Sequence, residues 1–385
     1  MAEPNSALSR LRGNQTPVPP APASSGGDSL RFLSHTLNNA MKCGASDIHF
    51  RPKNFPMFRV DGVLMPMREY PELTVPDMEQ LAQKCMTPRH WDVFQRDYQV
   101  DISIGIQGIG RVRVNVYYQR GTIAMALRVI HHSIPTPEEL SLPPAVKDFV
   151  RFERGLVLLT GATGCGKSTT IASLINEVNK HYAKHVVTIE DPIEFVFKDQ
   201  RCIISQRELG IDATTFPMAM TAALREDPDV ILLGEMREAE TIETALTAAE
   251  TGHLVFSTLH APATAETVTR IISSFAPDAQ PTIRSKLAQN LRAVVAQRLL
   301  PRSDGDGRIV ACEIMTVGPR VRELILDPLR VKDIADLVKQ ETIVEGMLSF
   351  DQHLFELCRR GDISDDVALQ HASSPTDLKL KLDGF

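Results

Sequence analysis

The sequence predicts an α/β protein whose largest layer is a mostly parallel β-sheet. Four short apolar runs, at residues 156–160, 186–189, 230–233 and 254–258, are continuous rather than alternating, which is the pattern of parallel strands buried on both faces. Helical patterns separate most of these runs, giving the strand–helix–strand order of a doubly wound sheet. At 385 residues the chain is long enough for two or three domains that each bury an apolar core.

Composition and charge exclude several classes of function. No apolar run approaches the roughly 20 residues that a transmembrane helix needs, so direct membrane insertion is not expected. The net charge of −6 provides no broad cationic field, so nucleic acid is not an expected partner. The six cysteines form no CxxC pair, which indicates reduced thiols rather than structural zinc. The N-terminus lacks a basic stretch followed by an apolar run, and a cytosolic chain is therefore expected.

The first 130 residues are predicted to comprise an extension and a small domain. Residues 1–28 are rich in Pro, Ala, Ser and Gly and have almost nothing to bury, which predicts disorder. Residues 29–130 combine helical and strand patterns and are predicted to form an α+β domain. The helices are predicted at residues 29–44, 77–84 and 88–96, and the strands at residues 47–51, 55–60, 63–67, 100–106, 111–118 and 122–130.

The remaining chain divides into a linker, a core and a helical end. Residues 131–148 contain four prolines and few apolar side chains, which is typical of a linker. The core is predicted to span residues 149–300, and residues 301–385 to form a mainly helical C-terminal subdomain. Within it, helices are predicted at residues 319–326, 331–338, 349–360 and 364–371, and one strand at residues 309–315.

A glycine-rich loop between the first apolar strand and the next helix carries the clearest chemical signal. Residues 161–169 fit the pattern G-x-x-x-x-G-K-[ST], which binds nucleotide phosphates when a strand precedes it and a helix follows it. Its glycines let consecutive backbone N–H groups face an anion, and the helix N-terminus adds partial positive charge. The residues predicted to hold ATP and Mg²⁺ are Gly161, Thr163, Gly164, Cys165, Gly166, Lys167, Ser168 and Thr169.

Individual roles follow for four of these residues. Lys167 is expected to reach the β- and γ-phosphates, Ser168 to place its hydroxyl on Mg²⁺, and Thr169 to lie near the α-phosphate. Cys165 is expected to act through its backbone, because nothing near it in sequence would activate a thiolate. The alternative is a glycine-rich turn without function, which the flanking strand and helix disfavour.

An acidic residue follows the apolar run at residues 230–233. The carboxyl ends of parallel strands form the edge of the sheet where ligands bind. Glu235 is therefore predicted to be the general base that orients and deprotonates the water attacking the γ-phosphate. The usual motif has Asp directly before this Glu, but Gly234 stands there. One metal ligand is therefore missing from this strand.

A second acidic group, Glu190, Asp191 and Glu194, follows the run at residues 186–189. Glu190 or Asp191 is in position to hold a magnesium-bound water, because Mg²⁺ keeps several waters and accepts indirect ligation. Glu190 is the favoured candidate for both a catalytic and a metal-binding role. The alternative is that Asp191 and Pro192 merely end the strand in a turn, and for Glu194 a structural role is an equally good interpretation.

Two histidines flank the run at residues 254–258. His260 lies past its carboxyl end, on the edge that Lys167, Glu190 and Glu235 are predicted to share. A single histidine is more often structural, but this position favours a sensor of the γ-phosphate. His253 lies at the start of the run and is predicted to be a structural or coupling residue.

In their order and their amino-acid sequences, these segments resemble the secretion ATPase superfamily, and most closely its type IV pilus retraction branch, the PilT/PilU group. The resemblance covers nearly all of residues 29–385 and implies a RecA-like P-loop NTPase core with an N-terminal PAS-like domain. The matching segments are residues 44–49 and 58–64 in that domain, residues 224–237 in the Walker B segment, residues 190–194 in the Asp box and residues 251–260 in the His box.

The resemblance also implies a hexameric ring whose nucleotide site is completed by arginines of the N-terminal domain. In the strand predicted at residues 111–118, alternation places Arg111 and Arg113 on one face. Arg113 and Arg128 match the family's arginine positions best, and a guanidinium at a γ-phosphate stabilises transition-state charge. For Arg111 a solvated strand face is the better interpretation.

The function implied by the resemblance is a cytoplasmic Mg-ATPase motor that drives pilus retraction and twitching motility. The implied partners are the other subunits of a homo-hexamer, a pilus platform protein that recruits the ring to the cytosolic face of the inner membrane at the pilus base, and a paralogous pilus ATPase. The chain lacks the tetracysteine module and long N-terminal region of extension ATPases, which favours retraction. The family's C-terminal Ala-Ile-Arg motif appears only as residues 319–324, with Arg322 in register.

Alternatives remain open at the level of sequence. The same chemistry would serve pilus extension or a type IV secretion or conjugation system. A weakly hydrolysing accessory subunit of the retraction ring is a further alternative, and a nucleic-acid motor is the last. The sequence does not separate a PilT-like from a PilU-like role, and it does not by itself give the direction of force.

Overall fold

The computed structural model divides into two compact units, Met1–His132 and Ser133–Phe385. The residues that it describes are 29–60, 62–106, 110–129, 133–305, 307–340 and 346–384. The extension predicted at residues 1–28 lies outside them. No helix in these ranges has the length and apolar character that crossing a bilayer requires.

The first unit is an antiparallel sheet with helices on one face. Its helices are α1 (Ser29–Lys42), α2 (Val75–Cys85) and α3 (Pro88–Asp97), and its strands are β1 (Ala45–Phe50), β2 (Met57–Val60), β3 (Val63–Pro66), β4 (Gln99–Ile106), β5 (Gly110–Gln119) and β6 (Thr122–Val129). The strand order is β3-β2-β1-β6-β5-β4, and every pairing is antiparallel. These elements match the predicted ones to within a few residues.

Alternation along the strands separates a buried from an exposed face in this unit. Val112, Val114 and Val116 of β5 are fully buried against the helices. Arg113 lies between them on the opposite face, as the period of two predicts. The polar face of the sheet therefore carries the arginines that the sequence singled out.

The second unit is built on a seven-stranded sheet. Its strands are β7 (Gly155–Thr160), β8 (His185–Glu190), β9 (Ile203–Glu208), β10 (Val230–Leu233), β11 (Leu254–Leu259), β12 (Leu291–Pro301) and β13 (Arg308–Thr316). They are arranged in the order β13-β12-β7-β11-β10-β8-β9. All neighbours are parallel except β12 and β13, which form an antiparallel hairpin. The four predicted apolar strands are confirmed, whereas β9 and β12 were not predicted.

Helices cover both faces of this sheet. They are α4 (Pro144–Asp148), α5 (Lys167–His181), α6 (Phe216–Ala223), α7 (Ala239–Glu250), α8 (Thr264–Ser273), α9 (Gln280–Asn290), α10 (Pro319–Leu326), α11 (Ile334–Gln340), α12 (Phe350–Arg359), α13 (Asp365–His371) and α14 (Pro375–Leu382). Leu156 and Leu158 pack against α6 to α10, whereas Val157 and Leu159 pack against α4 and α5. Both faces of each central strand are buried, which explains its continuous apolar run.

The predicted boundary at residue 300 falls inside the β12–β13 hairpin, which forms one side of the core sheet. Helix α9 ends at Asn290 and β12 begins at the next residue, with neither Gly nor Pro between them. The sequence therefore contains no turn-forming residue that would indicate the change from helix to strand. Helices α12 to α14 pack on the hairpin through Ala296, Leu300 and Phe350 among others.

Candidate nucleotide site

The glycine-rich loop joins the end of β7 to the start of α5. Its three glycines, Gly161, Gly164 and Gly166, have φ angles of 139°, 77° and 95°, a region that favours glycine. A Cβ atom on Gly161 would lie 2.5 Å from the carbonyl oxygen of Gln297 and 2.6 Å from the sulfur of Cys165. A side chain at position 161 would therefore collide with β12 and with Cys165, so the loop can adopt this path only with glycine there.

The lysine of the loop is folded back over it. Lys167 Nζ donates hydrogen bonds to the carbonyl oxygens of Gly161 at 2.9 Å and Ala162 at 3.0 Å. Gly166 is the N-cap of α5 and offers no side-chain acceptor to the first N–H groups of the helix. Those groups and the ammonium lie where an anion binds at a helix N-terminus, and the half-buried Ser168 adds a hydroxyl in the first turn. These residues fit a nucleotide triphosphate with Mg²⁺.

The backbone around Glu235 is fixed by the two neighbouring strands. Gly234 N–H donates to the carbonyl of Ile189 at 2.8 Å, and Met236 N–H donates to the carbonyl of Thr258 at 3.0 Å. The Thr258 hydroxyl in turn donates to the carbonyl of Gly234 at 2.7 Å. Strands β8 and β11 therefore hold the segment that carries Glu235 from both sides.

The Glu235 carboxylate lies between the side chains of His260 and Arg237. Its Oε1 atom is 3.0 Å from His260 Nε2, and its Oε2 atom is 2.8 Å from Arg237 Nη2. The Glu235 side chain is 20% exposed, whereas that of Arg237 is 76% exposed. Arg237 is therefore the partner that solvent reaches more readily.

Tight packing explains why glycine occupies position 234. A Cβ atom there would lie 3.3 Å from both the Glu190 Cα atom and the Ile189 carbonyl oxygen. A side chain at position 234 would therefore require the end of β8 to shift by a few tenths of an ångström.

Glu190 ends β8 beside Gly234 and is buried. Its Oε1 atom accepts hydrogen bonds from the Thr188 hydroxyl at 2.7 Å and from Gln206 Nε2 at 3.2 Å. Burial raises the pKa of Glu190 to about 7, because the charged form loses hydration, although these hydrogen bonds act in the opposite direction. Asp191 and Glu194, by contrast, are exposed.

The two histidines lie at opposite ends of β11. The ring of His260 contacts Glu235, and its backbone carbonyl accepts a hydrogen bond from Arg270 of α8. The ring of His253 lies 2.9 Å from the Ala248 carbonyl at the end of α7. The sheet thus brings His260, Glu235, Glu190 and the phosphate loop to its carboxyl edge and leaves His253 at the other.

Arg113 and Arg128 lie directly opposite each other on β5 and β6 of the first unit. Arg128 Nη2 is 2.7 Å from Asp47 Oδ1, and Arg113 Nε is 3.7 Å from Asp101 Oδ1. Both arginines are exposed. Each guanidinium is therefore paired with a carboxylate of its own unit.

Sequence reasoning missed two residues of the site, Arg237 and Gln297. Arg237 stands two residues after Glu235, and this spacing was a signal that could have been used. Gln297 is buried on β12, and its Nε2 atom donates to the Thr170 hydroxyl of α5 at 2.9 Å. It could not have been found without a prediction of β12, because only the sheet places it behind the loop.

A phosphate loop between a strand and a helix, with carboxylates at the ends of nearby parallel strands, defines a P-loop ATPase. The family model of type II/IV secretion system proteins matches residues 24–322. The chain belongs to this family.

Individual relatives agree over most of the chain. The type IV pilus ATPase PilU of Pseudomonas aeruginosa is 39% identical over 339 residues, 88% of this chain and 88% of PilU. The type IV pilus retraction ATPase PilT of the same organism is 38% identical over 343 residues, 89% of this chain and 98% of PilT. A crystal structure of the pilus retraction motor PilT with bound ADP has a TM-score of 0.83 at 41% identity and covers 90% of this chain and 98% of that one. The predicted fold class and the prediction of a PilT/PilU-type ATPase are confirmed.

Proposed function

We propose that this chain is the ATPase motor of type IV pilus retraction and works in the cytoplasm as a homo-hexamer. The observation that carries the proposal is the similarity to PilT and PilU, which extends over nearly nine-tenths of the chain and includes the nucleotide site. A pilus platform protein at the inner membrane and a paralogous pilus ATPase are its proposed partners.

The phosphate loop is proposed to bind ATP. Lys167 would leave the carbonyls of Gly161 and Ala162 for the β- and γ-phosphates, because a charged acceptor outcompetes two neutral ones. Ser168 would hold Mg²⁺ directly and Glu190 through water. Mg²⁺, when bound, supplies positive charge that neutralises the phosphate oxygens.

Glu235 is proposed to accept the proton of the attacking water. Each of its carboxylate oxygens has one partner in the structure and, with a second lone pair, can accept a further hydrogen bond from the attacking water. Arg237 is the partner that solvent can replace, because its guanidinium is largely exposed. His260 would keep the carboxylate in place and, as predicted, sense the γ-phosphate.

The two arginines of the first unit are proposed to act on the nucleotide of the assembled ring. Arg113 and Arg128 would stabilise charge on the γ-phosphate, as the family resemblance implies. Each would have to exchange its carboxylate, Asp101 or Asp47, for the phosphate. Hydrolysis would then move the two units relative to each other through residues 131–148.

Glu235→Gln tests the chemistry. Turnover should fall by about 10²–10⁴-fold, the usual contribution of a general base, while ATP binding persists. Glu243→Gln is the matched control, because Glu243 is an acid of the same unit that lies away from the phosphate loop on α7 and pairs with Lys286. Turnover in the Glu235 variant within tenfold of the control would show that another group is the base.

Pilus counts in cells test the direction of force separately. A strain without this chain should carry more surface pili and lose surface motility, and the Glu235→Gln chain should fail to restore it. Cells without pili would assign the motor to extension, even if the chemistry is as proposed. Unchanged pili with intact ATPase activity in vitro would assign it to another secretion system.

A further inference from the structure

Three arginines of the second unit converge at the amino edge of its sheet. Arg154 directly precedes β7, and Arg292 is the second residue of the adjacent β12. Arg292 Nε donates to the Arg154 carbonyl at 3.1 Å. The Arg292 carbonyl accepts from Val317 N–H at 2.8 Å, and Arg322 N–H, one turn into α10, donates to the Gly318 carbonyl at 3.1 Å. Hydrogen-bonded backbone segments therefore bring the three side chains together.

These cations have no counter-ion among the described residues. No carboxylate there lies within 4.0 Å of any of the three guanidinium groups. The Nε atom of Arg322 is buried and has no hydrogen-bond partner. Burial, followed by the charges of Arg322 and Arg154, lowers the pKa of Arg292. Like charges that lie close together without a neutralising anion repel each other and lower the free energy of unfolding.

Other arginines of the same unit show the usual solution. Arg207 lies 2.9 Å from Glu226, Arg302 lies 3.5 Å from Asp362, and Arg330 lies 3.2 Å from Asp333. A cluster without such a partner among the described residues is suited to binding an anion, which would relieve the repulsion and satisfy the buried Nε atom.

The anion is not the nucleotide of this chain. Arg154 and Arg292 lie at the amino ends of β7 and β12, whereas the phosphate loop follows the carboxyl end of β7. Strand β7 has six residues, which at about 3.3 Å each separate the two sites by roughly 17–20 Å. An anion bound at the arginine cluster would therefore be distinct from the nucleotide at the phosphate loop.

The surroundings favour a protein as that ligand. Leu326 lies four residues after Arg322 on the same face of α10 and is 49% exposed. Arginine is enriched at protein interfaces relative to the rest of the surface, and the exposed Leu326 adds apolar area beside it. Recognition of an anionic membrane generally uses about four to eight basic residues, and the net charge of −6 opposes it further. We propose that Arg154, Arg292 and Arg322 form a docking site for an acidic segment of a partner protein.

Peptide binding to the full-length chain tests this proposal. The probe is a fluorescein-labelled peptide of glutamates interspersed with leucines, compared with a peptide in which glutamine replaces glutamate. The chain should bind only the acidic peptide, and affinity should fall as salt rises. Arg322→Gln should weaken binding about tenfold or more, the usual cost of losing one partner of a buried charge pair. Arg154→Gln changes an exposed residue and provides a second variant if the first does not fold.

Arg330→Gln is the matched control, because it removes the same charge from the same region but from a guanidinium already paired with Asp333. It should change the affinity less than twofold. Failure of the unsubstituted chain to bind the acidic peptide would overturn the proposal. Equal losses for Arg322→Gln and Arg330→Gln would do the same, as would binding to phosphatidylglycerol vesicles in preference to the peptide.

Discussion

The two ends of the parallel sheet in the second unit differ in whether their charged side chains have partners within the chain. At the carboxyl edge, the chain itself provides a partner for each charged group of the nucleotide site. Lys167 donates to two carbonyls, and Glu235 lies between His260 and Arg237. At the amino edge, Arg154, Arg292 and Arg322 approach one another without a carboxylate among the described residues.

The difference shows how the two sites prepare for their ligands. A ligand at a site with internal partners competes with them, so its binding can reorganise the chain and be coupled to motion. A site with unpaired like charges needs no exchange, and an anion adds stability directly.

Lys167→Ala removes the cation of the carboxyl edge that is proposed to meet the phosphates. Nucleotide affinity should fall by more than about a hundredfold, equivalent to about 3 kcal/mol. Titration calorimetry with ADP measures this. Lys180→Ala is the control, because Lys180 lies at the far end of the same helix and pairs with Glu177. ADP affinity within tenfold of the control would contradict the assignment of the loop.

Acid should destabilise the fold through His353, which limits the pH range in which the two edges can be compared. His353 is buried, accepts a hydrogen bond from Cys312 N–H at 2.9 Å, and has a pKa lowered to about 4 by burial. The unfolded chain, with an ordinary pKa near 6.5, binds the proton more readily. The stabilisation is therefore complete above about pH 6.5 and is lost as the pH falls towards 4.

The expected loss is about 2–3 kcal/mol between roughly pH 7.5 and pH 4.5. Urea unfolding at the two pH values measures it. His353→Asn keeps a hydrogen-bond acceptor but does not titrate. Its free energy of unfolding should therefore fall by about 2–3 kcal/mol less between the two pH values than that of the original chain. The same change in both proteins would show that other groups dominate acid unfolding.

Introducing an aspartate should have opposite effects at the two edges. Gly234→Asp restores the usual acidic motif but places a side chain where a Cβ atom already lies 3.3 Å from β8, and should destabilise the fold by about 1–3 kcal/mol. Gly318→Asp enters open space at the N-cap of α10, near the arginine cluster. It should be neutral or stabilising by a few tenths of a kcal/mol. The urea unfolding midpoints of the two variants measure this difference. Equal losses of stability for Gly234→Asp and Gly318→Asp would contradict the prediction.

The smallest effect is expected for Arg322→Gln. Because Arg322 repels its neighbours, its loss should leave the free energy of unfolding within about 0.5 kcal/mol of the original value or raise it. Arg207→Gln is the comparison, since it breaks a partly buried ion pair with Glu226 and should cost about 1 kcal/mol. A loss above 1 kcal/mol for Arg322→Gln would show that Arg322 is already paired within the chain.

Local patterns were sufficient for much of the fold. The phosphate loop, the four buried strands and most elements of the first unit depend on residues close together in sequence, because glycine spacing and apolar periodicity reflect local backbone geometry. Strand β12 was missed because it follows α9 without a turn residue. That omission also concealed Gln297 and placed the C-terminal boundary inside a hairpin.

Residues close together in the chain were enough to predict a strand, a glycine loop and a helix that form a phosphate site, and to predict which acids follow the neighbouring strands. The partners of those groups became known from the folded chain alone. It placed Arg237 and His260 on the two oxygens of Glu235, brought the end of β8 close to position 234, and gathered three arginines from separate segments. These contacts join residues far apart in the chain, and their distances depend on how strands and helices pack, which no local pattern records.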